Sequence, residues 1–102
     1  MELVSEIYVI TRHFPKSEIY ALCSQMQRAA VAIPSNIAEG YKRNHRAEFI
    51  QFLAIANASS AELETQVLIA KKQYPKIDYS AAQGLLEEVQ KMLYAMIKKL
   101  NA

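Results

Sequence analysis

One cysteine, two glycines, three prolines, two histidines and no tryptophan leave this chain of 102 residues few sources of special chemistry. A lone Cys23 closes no intrachain disulfide, and His13 and His45 add too few ligands for a structural zinc site. No metal and no other cofactor is therefore expected, and a reducing, cytoplasmic setting fits the cysteine usage. Glycine and proline are too scarce for a turn-rich β-protein or a collagen-like repeat, while 52% apolar and 22% charged residues argue against disorder. No apolar run approaches the ~20 residues that cross a bilayer. The start, Met1-Glu2-Leu3-Val4-Ser5-Glu6, carries acid where a signal peptide needs a basic flank, so no membrane partner is expected. Strong charge of one sign is also lacking. Lysine and arginine number 12 against 10 acidic residues, a net charge of +2. The isoelectric point near 8.7 falls below the value of about 9 that marks a strongly nucleic-acid-binding domain.

Catalytic motifs are missing too. A di-iron bundle needs Glu-x-x-His on two helices, but Ile10 and Lys42 stand three residues before His13 and His45. Neither Gly40 nor Gly84 lies in a phosphate-cradling loop, and neither Gly-x-Ser-x-Gly nor His-Glu-x-x-His occurs. Cys23, between Leu22 and Met26, reads as a small core residue rather than a nucleophile. No catalytic residue is assigned, and the expectation is a non-enzymatic protein.

What the chain does have is helical periodicity. Three punctuations, Phe14-Pro15-Lys16-Ser17, Lys42 to Arg46 and Tyr74 to Asp78, divide it into four segments. The third is the clearest: Phe49, Leu53, Ala56, Ser60, Leu63, Val67, Ala70 and Tyr74 alternate steps of four and three, a heptad seam. The second offers Ile19, Leu22, Met26, Ala29, Ala30, Ile33 and Ile37; the fourth runs from Leu85 to Leu100; the first is short, with Leu3, Val4, Ile7, Tyr8 and Ile10. Ser17 reads as the N-cap of the second helix, Ser80 with Gln83 as a capping box, and Asn44 or His45 as the start of the third. Pro34 predicts a local kink, with helix resuming from Asn36 to Glu39. Short connections then predict one domain over residues 1–102, an all-α, antiparallel up-down-up-down four-helix bundle.

Two surface patterns remain. Gln25, Arg28, Ala32, Asn36 and Glu39 form a polar seam beside the apolar one on the second helix. Ser59, Glu62 and Gln66 repeat it on the third, flanked by Ala58 and Ala61. This is either a solvated face or a network between helices or subunits in which Arg28 pairs with Glu39 or Glu62, fixing register more than adding stability. The second pattern is basic. Lys42, Arg43, His45 and Arg46 in the second connection should share one end with Lys98 and Lys99. Arg12, His13, Lys16, Lys71, Lys72 and Lys76 should gather at the other, with Tyr41 and Tyr74 as aromatic neighbours able to stack on unpaired bases. Such residues contact phosphate, or are simply solvated and favoured by the helix dipole.

The run Ser24 to Gly40, with Glu48-Phe49-Ile50-Gln51-Phe52-Leu53 and Ala61-Glu62-Leu63-Glu64-Thr65-Gln66, closely resembles a known family. This is the four-helix-bundle family named for proteins encoded in intervening sequences of bacterial 23S ribosomal RNA genes. The resemblance covers nearly the whole chain. It implies an antiparallel bundle that assembles into homopentameric rings, and a kinship with the accessory protein of diversity-generating retroelements, which binds its reverse transcriptase and nucleic acid through a basic surface. The family motif falls on Gln25, Arg28, Pro34, Asn36, Glu39, Gly40, Arg43, Glu48, Phe49, Glu62 and Glu64. Family members usually begin the first helix earlier, with a Trp-containing stretch, so this first helix reads as shortened. Residues and resemblance together give the expectation of a homo-oligomer that binds structured RNA through its basic ends. The other reading is a protein-binding assembly module, such as an accessory to a reverse transcriptase, with no direct nucleic-acid contact.

Overall fold

A computed structural model describes all of residues 1–102 as four α-helices with no strand. α1 spans Glu2–Thr11, α2 Ser24–Lys42, α3 Arg46–Gln73 and α4 Ser80–Asn101. Packing of α2 on α3, α3 on α4, and α1 on both α2 and α4 points to a bundle. The helices surround one apolar core of 17 buried residues, and the molecule measures 44 × 23 × 18 Å.

Each helix buries the stripe its sequence marks. α1 buries Leu3, Ile7 and Ile10, and its Glu2 stands in the first turn where the helix dipole favours acid. The side chain of Thr11 donates to the Ile7 carbonyl at 2.9 Å and accepts from Gln27 Nε2 at 3.0 Å, tying the end of α1 to α2. On α3 the seam from Leu53 through Ala56, Ser60, Leu63, Val67 and Ala70 is buried without a gap, with Phe49 and Tyr74 half-buried at its ends. Ser60 keeps its buried hydroxyl satisfied by donating to the Asn57 carbonyl at 2.7 Å. α4 buries Ala82, Leu86 and Leu93.

Two local expectations about helix starts fail. Ser17 does not cap α2: it lies inside a 3₁₀ turn, Lys16–Glu18, followed by a wide π-type turn at Ile19–Cys23 with irregular backbone at Ala21 (φ −120°, ψ −109°). Regular α-helix starts only at Ser24, after these two turns. Pro34 sits inside α2, and helix continues through Asn36 to Glu39 as the sequence predicts, with Ala29, Ala30 and Ile33 before it and Gly40 after it all buried. Ser80 and Gln83 do not form a capping box. Asp78 does the capping, its Oδ1 accepting from the Ser80 N–H at 2.9 Å and the Ser80 hydroxyl at 2.7 Å, and these bonds hold its carboxyl below the ordinary range.

Candidate functional site

The connection between α2 and α3 is tight because Gly40 has no side chain. A Cβ there would lie 2.7 Å from Phe52 Cβ and 3.0 Å from Phe49 Cδ1, so the backbone of α2 touches aromatic side chains of α3 directly. From that contact the chain emits Lys42, Arg43, Asn44, His45 and Arg46, all exposed. Arg43 is held in place: its Nη2 donates to Glu39 Oε1 at 2.9 Å, Glu48 lies 3.9 Å away, and the guanidinium sits 5.2 Å from the Phe52 ring centroid. Arg46 reaches across to α4, donating from Nε to the Leu100 carbonyl and from Nη2 to the Ala102 carbonyl at 2.8 Å. A helix C-terminus leaves carbonyls without donors, and the guanidinium supplies them. That link brings the α2–α3 connection and the end of α4, with Lys98 and Lys99, to one end of the bundle. Of these six side chains, those of Arg43 and Arg46 already have partners within the chain, those of Lys42, His45 and Lys99 make no hydrogen bond in it, and that of Lys98 has only a ring contact, to Tyr94.

At the opposite end Arg12, His13, Lys16, Lys71, Lys72 and Lys76 are all exposed. His13 and Lys76 share a cleft with Glu6 and Asp78, and Lys71 Nζ donates to Gln83 Oε1 at 3.4 Å. Tyr74 is not free to stack on a base. Its ring packs on Phe14 at 5.1 Å between centroids and its hydroxyl donates to Glu18, which raises the phenol's affinity for its proton, helped by burial. Tyr41 lies at the other end, edge-on to Phe49 at 5.7 Å.

The polar seam also resolves differently. Arg28 pairs with neither Glu39 nor Glu62. Eleven residues separate Arg28 from Glu39, about 16 Å along a helix, whereas Arg43 stands one turn from Glu39 and takes it. Asn36 donates to the Ala32 carbonyl at 2.7 Å, Gln66 Nε2 donates to Glu62 Oε1 at 3.3 Å, and Gln25 is exposed. The Asn36 and Gln66 bonds stay within their own helices, and Glu39 pairs with Arg43 just beyond the end of α2. Gln66 is the exception in environment: it is only 6% exposed and its Oε1 has no partner.

A family model described as 23S rRNA-intervening sequence protein matches residues 1–95. The chain belongs to that family. No curated protein matches it. The intervening-sequence family description specifies no reaction. No three His, Cys, Asp or Glu side chains converge as a metal site would require, and no helix is long and apolar enough to cross a membrane. The sequence reading missed one grouping in this family member. Tyr94, Lys98 and Asn101 recur on one face of α4 opposite Asn57 of α3, a spacing that the apolar residues around Met92, Leu93, Met96 and Ile97 obscure.

Proposed function

We propose that this intervening-sequence family protein is a non-enzymatic, antiparallel up-down-up-down bundle that binds structured RNA with the end carrying Lys42, Arg43, His45, Arg46, Lys98 and Lys99. The observation that carries this reading is the Arg46 link to the Leu100 and Ala102 carbonyls, which gathers cations of the α2–α3 connection and of the end of α4, remote from each other in sequence. Fixed arginines position a phosphate, and flexible lysines add charge whose binding releases counterions. The test is anisotropy of a labelled structured RNA at two salt concentrations. The expected result is affinity that falls steeply with salt, with Lys42→Ala and Lys99→Ala each lowering the logarithmic salt slope by about one. Absence of binding at low salt refutes the reading.

Self-association is the second part of the proposal. The chain exposes 6630 Å² where roughly 5,800 Å² is expected for its mass. The excess is close to the ~800 Å² that one partner contributes to a standard interface. Ile55, Leu68 and Ile69 on α3 are half-exposed and offer apolar surface to a second copy. A light-scattering mass equal to that of one chain at micromolar concentration refutes this part. If the protein assembles but binds no RNA, the remaining reading is a module for protein partners.

A further inference from the structure

A cleft of about 590 Å³ opens between α3 and the last turns of α4, lined by Asn57, Tyr94, Ile97, Lys98, Asn101 and Ala102. Its chemistry differs from that of the other large clefts. The one beneath α1 contains Glu6 and Asp78, the one along the middle of α3 and α4 contains Glu64 and Glu87, and the one beside Met1 is almost wholly apolar. The Tyr94 cleft has no acidic side chain. It combines an aromatic ring that is 67% exposed, two carboxamides, and an ammonium 5.9 Å from the ring centroid. The carbonyls at the end of α4 would repel a phosphate, but Arg46 already donates to two of them.

We infer that this cleft is a binding site for one unpaired nucleotide of a single-stranded RNA segment. The base stacks on the Tyr94 ring, Asn57 and Asn101 hydrogen-bond its edge, and Lys98 contacts the adjacent phosphate. A ring offers every base a stacking face, and a carboxamide carries both a donor and an acceptor, so the pair recognises a base edge without demanding one sequence. Lys98 serves as a point charge beside the stack. The inference rests on the RNA reading above and adds to it: the basic end attracts any phosphate chain, whereas Tyr94 selects unpaired bases, because duplex bases are already stacked.

The experiment titrates labelled single-stranded RNA and the same sequence in a duplex with the wild-type chain, Tyr94→Ala and Tyr94→Phe, after circular dichroism has verified that the variants are helical. Tyr94→Ala should weaken single-strand binding by roughly ten-fold, Tyr94→Phe should retain it, and duplex binding should be the same for all three. Equal single-strand affinity for Tyr94→Ala overturns the site while leaving the basic end intact. A parallel loss on duplex overturns the stacking role. Failure of the wild-type chain to bind either RNA removes the basic-end reading and this site together. A smaller light-scattering mass for Tyr94→Ala without any RNA effect assigns the cleft to a subunit contact and overturns the inference.

Discussion

The two ends of this bundle are built on opposite principles. At the end where α1 runs into α2 and α3 runs into α4, rings close the core. Phe14 packs on Tyr74, Tyr74 donates to Glu18, and the buried Tyr79 donates its hydroxyl to the Ala70 carbonyl at 3.1 Å and the Tyr74 carbonyl at 3.0 Å. At the other end the core stops at Gly40 and Phe49, and beyond it stand exposed cations braced by Arg43 and Arg46. The first end is closed by hydrogen-bonded rings, with Arg12, His13, Lys16, Lys71, Lys72 and Lys76 exposed around them. The second is braced by two guanidiniums, with Lys42, His45, Lys98 and Lys99 exposed beyond them. The difference lies in what holds each end together.

Four substitutions sharpen this contrast. Phe14→Ala removes a buried ring from the sealed end and should cost about 3–5 kcal/mol in urea unfolding, close to the whole stability of a small domain. A loss below about 1 kcal/mol means the ring does not close the core. Gly40→Ala strikes the open end, where the added methyl collides with Phe52 Cβ; it should cost about 1–3 kcal/mol and disturb the geometry of the adjacent basic loop. Unchanged stability would show that α2 and α3 separate easily there. Tyr79→Phe leaves the shape and removes one buried hydroxyl, for an expected loss of about 1–2 kcal/mol.

The same position sets the alkaline behaviour. Burial raises the Tyr79 phenol above its ordinary 10.0. The native state therefore holds the proton more tightly than the unfolded chain, so this group's contribution to stability is fully present below pH 10 and is lost as pH rises through the native value, with the raised Tyr74 phenol acting in the same direction. Denaturant midpoints taken from pH 8 to 11 should decline at the top of that range for the wild type and less for Tyr79→Phe. A flat wild-type curve contradicts the burial argument. The smallest effect belongs to Gly84→Ala on α4, where nothing lies within 4 Å of the new methyl. This exchange should stabilise by about 0.5–1 kcal/mol through helix propensity alone. Any loss would reveal a partner pressed against α4.

The seams were the legible part of the fold. Heptad spacing on α3 marks the buried residues from Leu53 to Ala70 because burial obeys helical geometry and needs no tertiary knowledge. Helix starts were harder to read. Ser17 and Ser80 are good caps in isolation, but Ser17 falls in a 3₁₀ turn ahead of α2, and Asp78 takes the first amide of α4, that of Ser80. Pro34 reads as a local kink, and α2 does continue past it to Lys42. The basic grouping was legible as composition. Its brace was not, because Arg46 and Leu100 are 54 residues apart and only the packing of α4 makes them neighbours. The expected Arg28 pairs failed since matching charge ignores distance along the helix, and Arg43 stands nearer to Glu39 than Arg28 does.

The 28 residues of α3 rise about 42 Å, nearly the full 44 Å of the molecule, without interruption. One rigid rod therefore begins at the cationic end and finishes at the aromatic one. Its length acts as a ruler. In any assembly that joins copies by one end, the other ends are held at a spacing set by helical rise and not by loop flexibility. Adding or removing seven residues would rescale that ruler while keeping the buried seam nearly in phase.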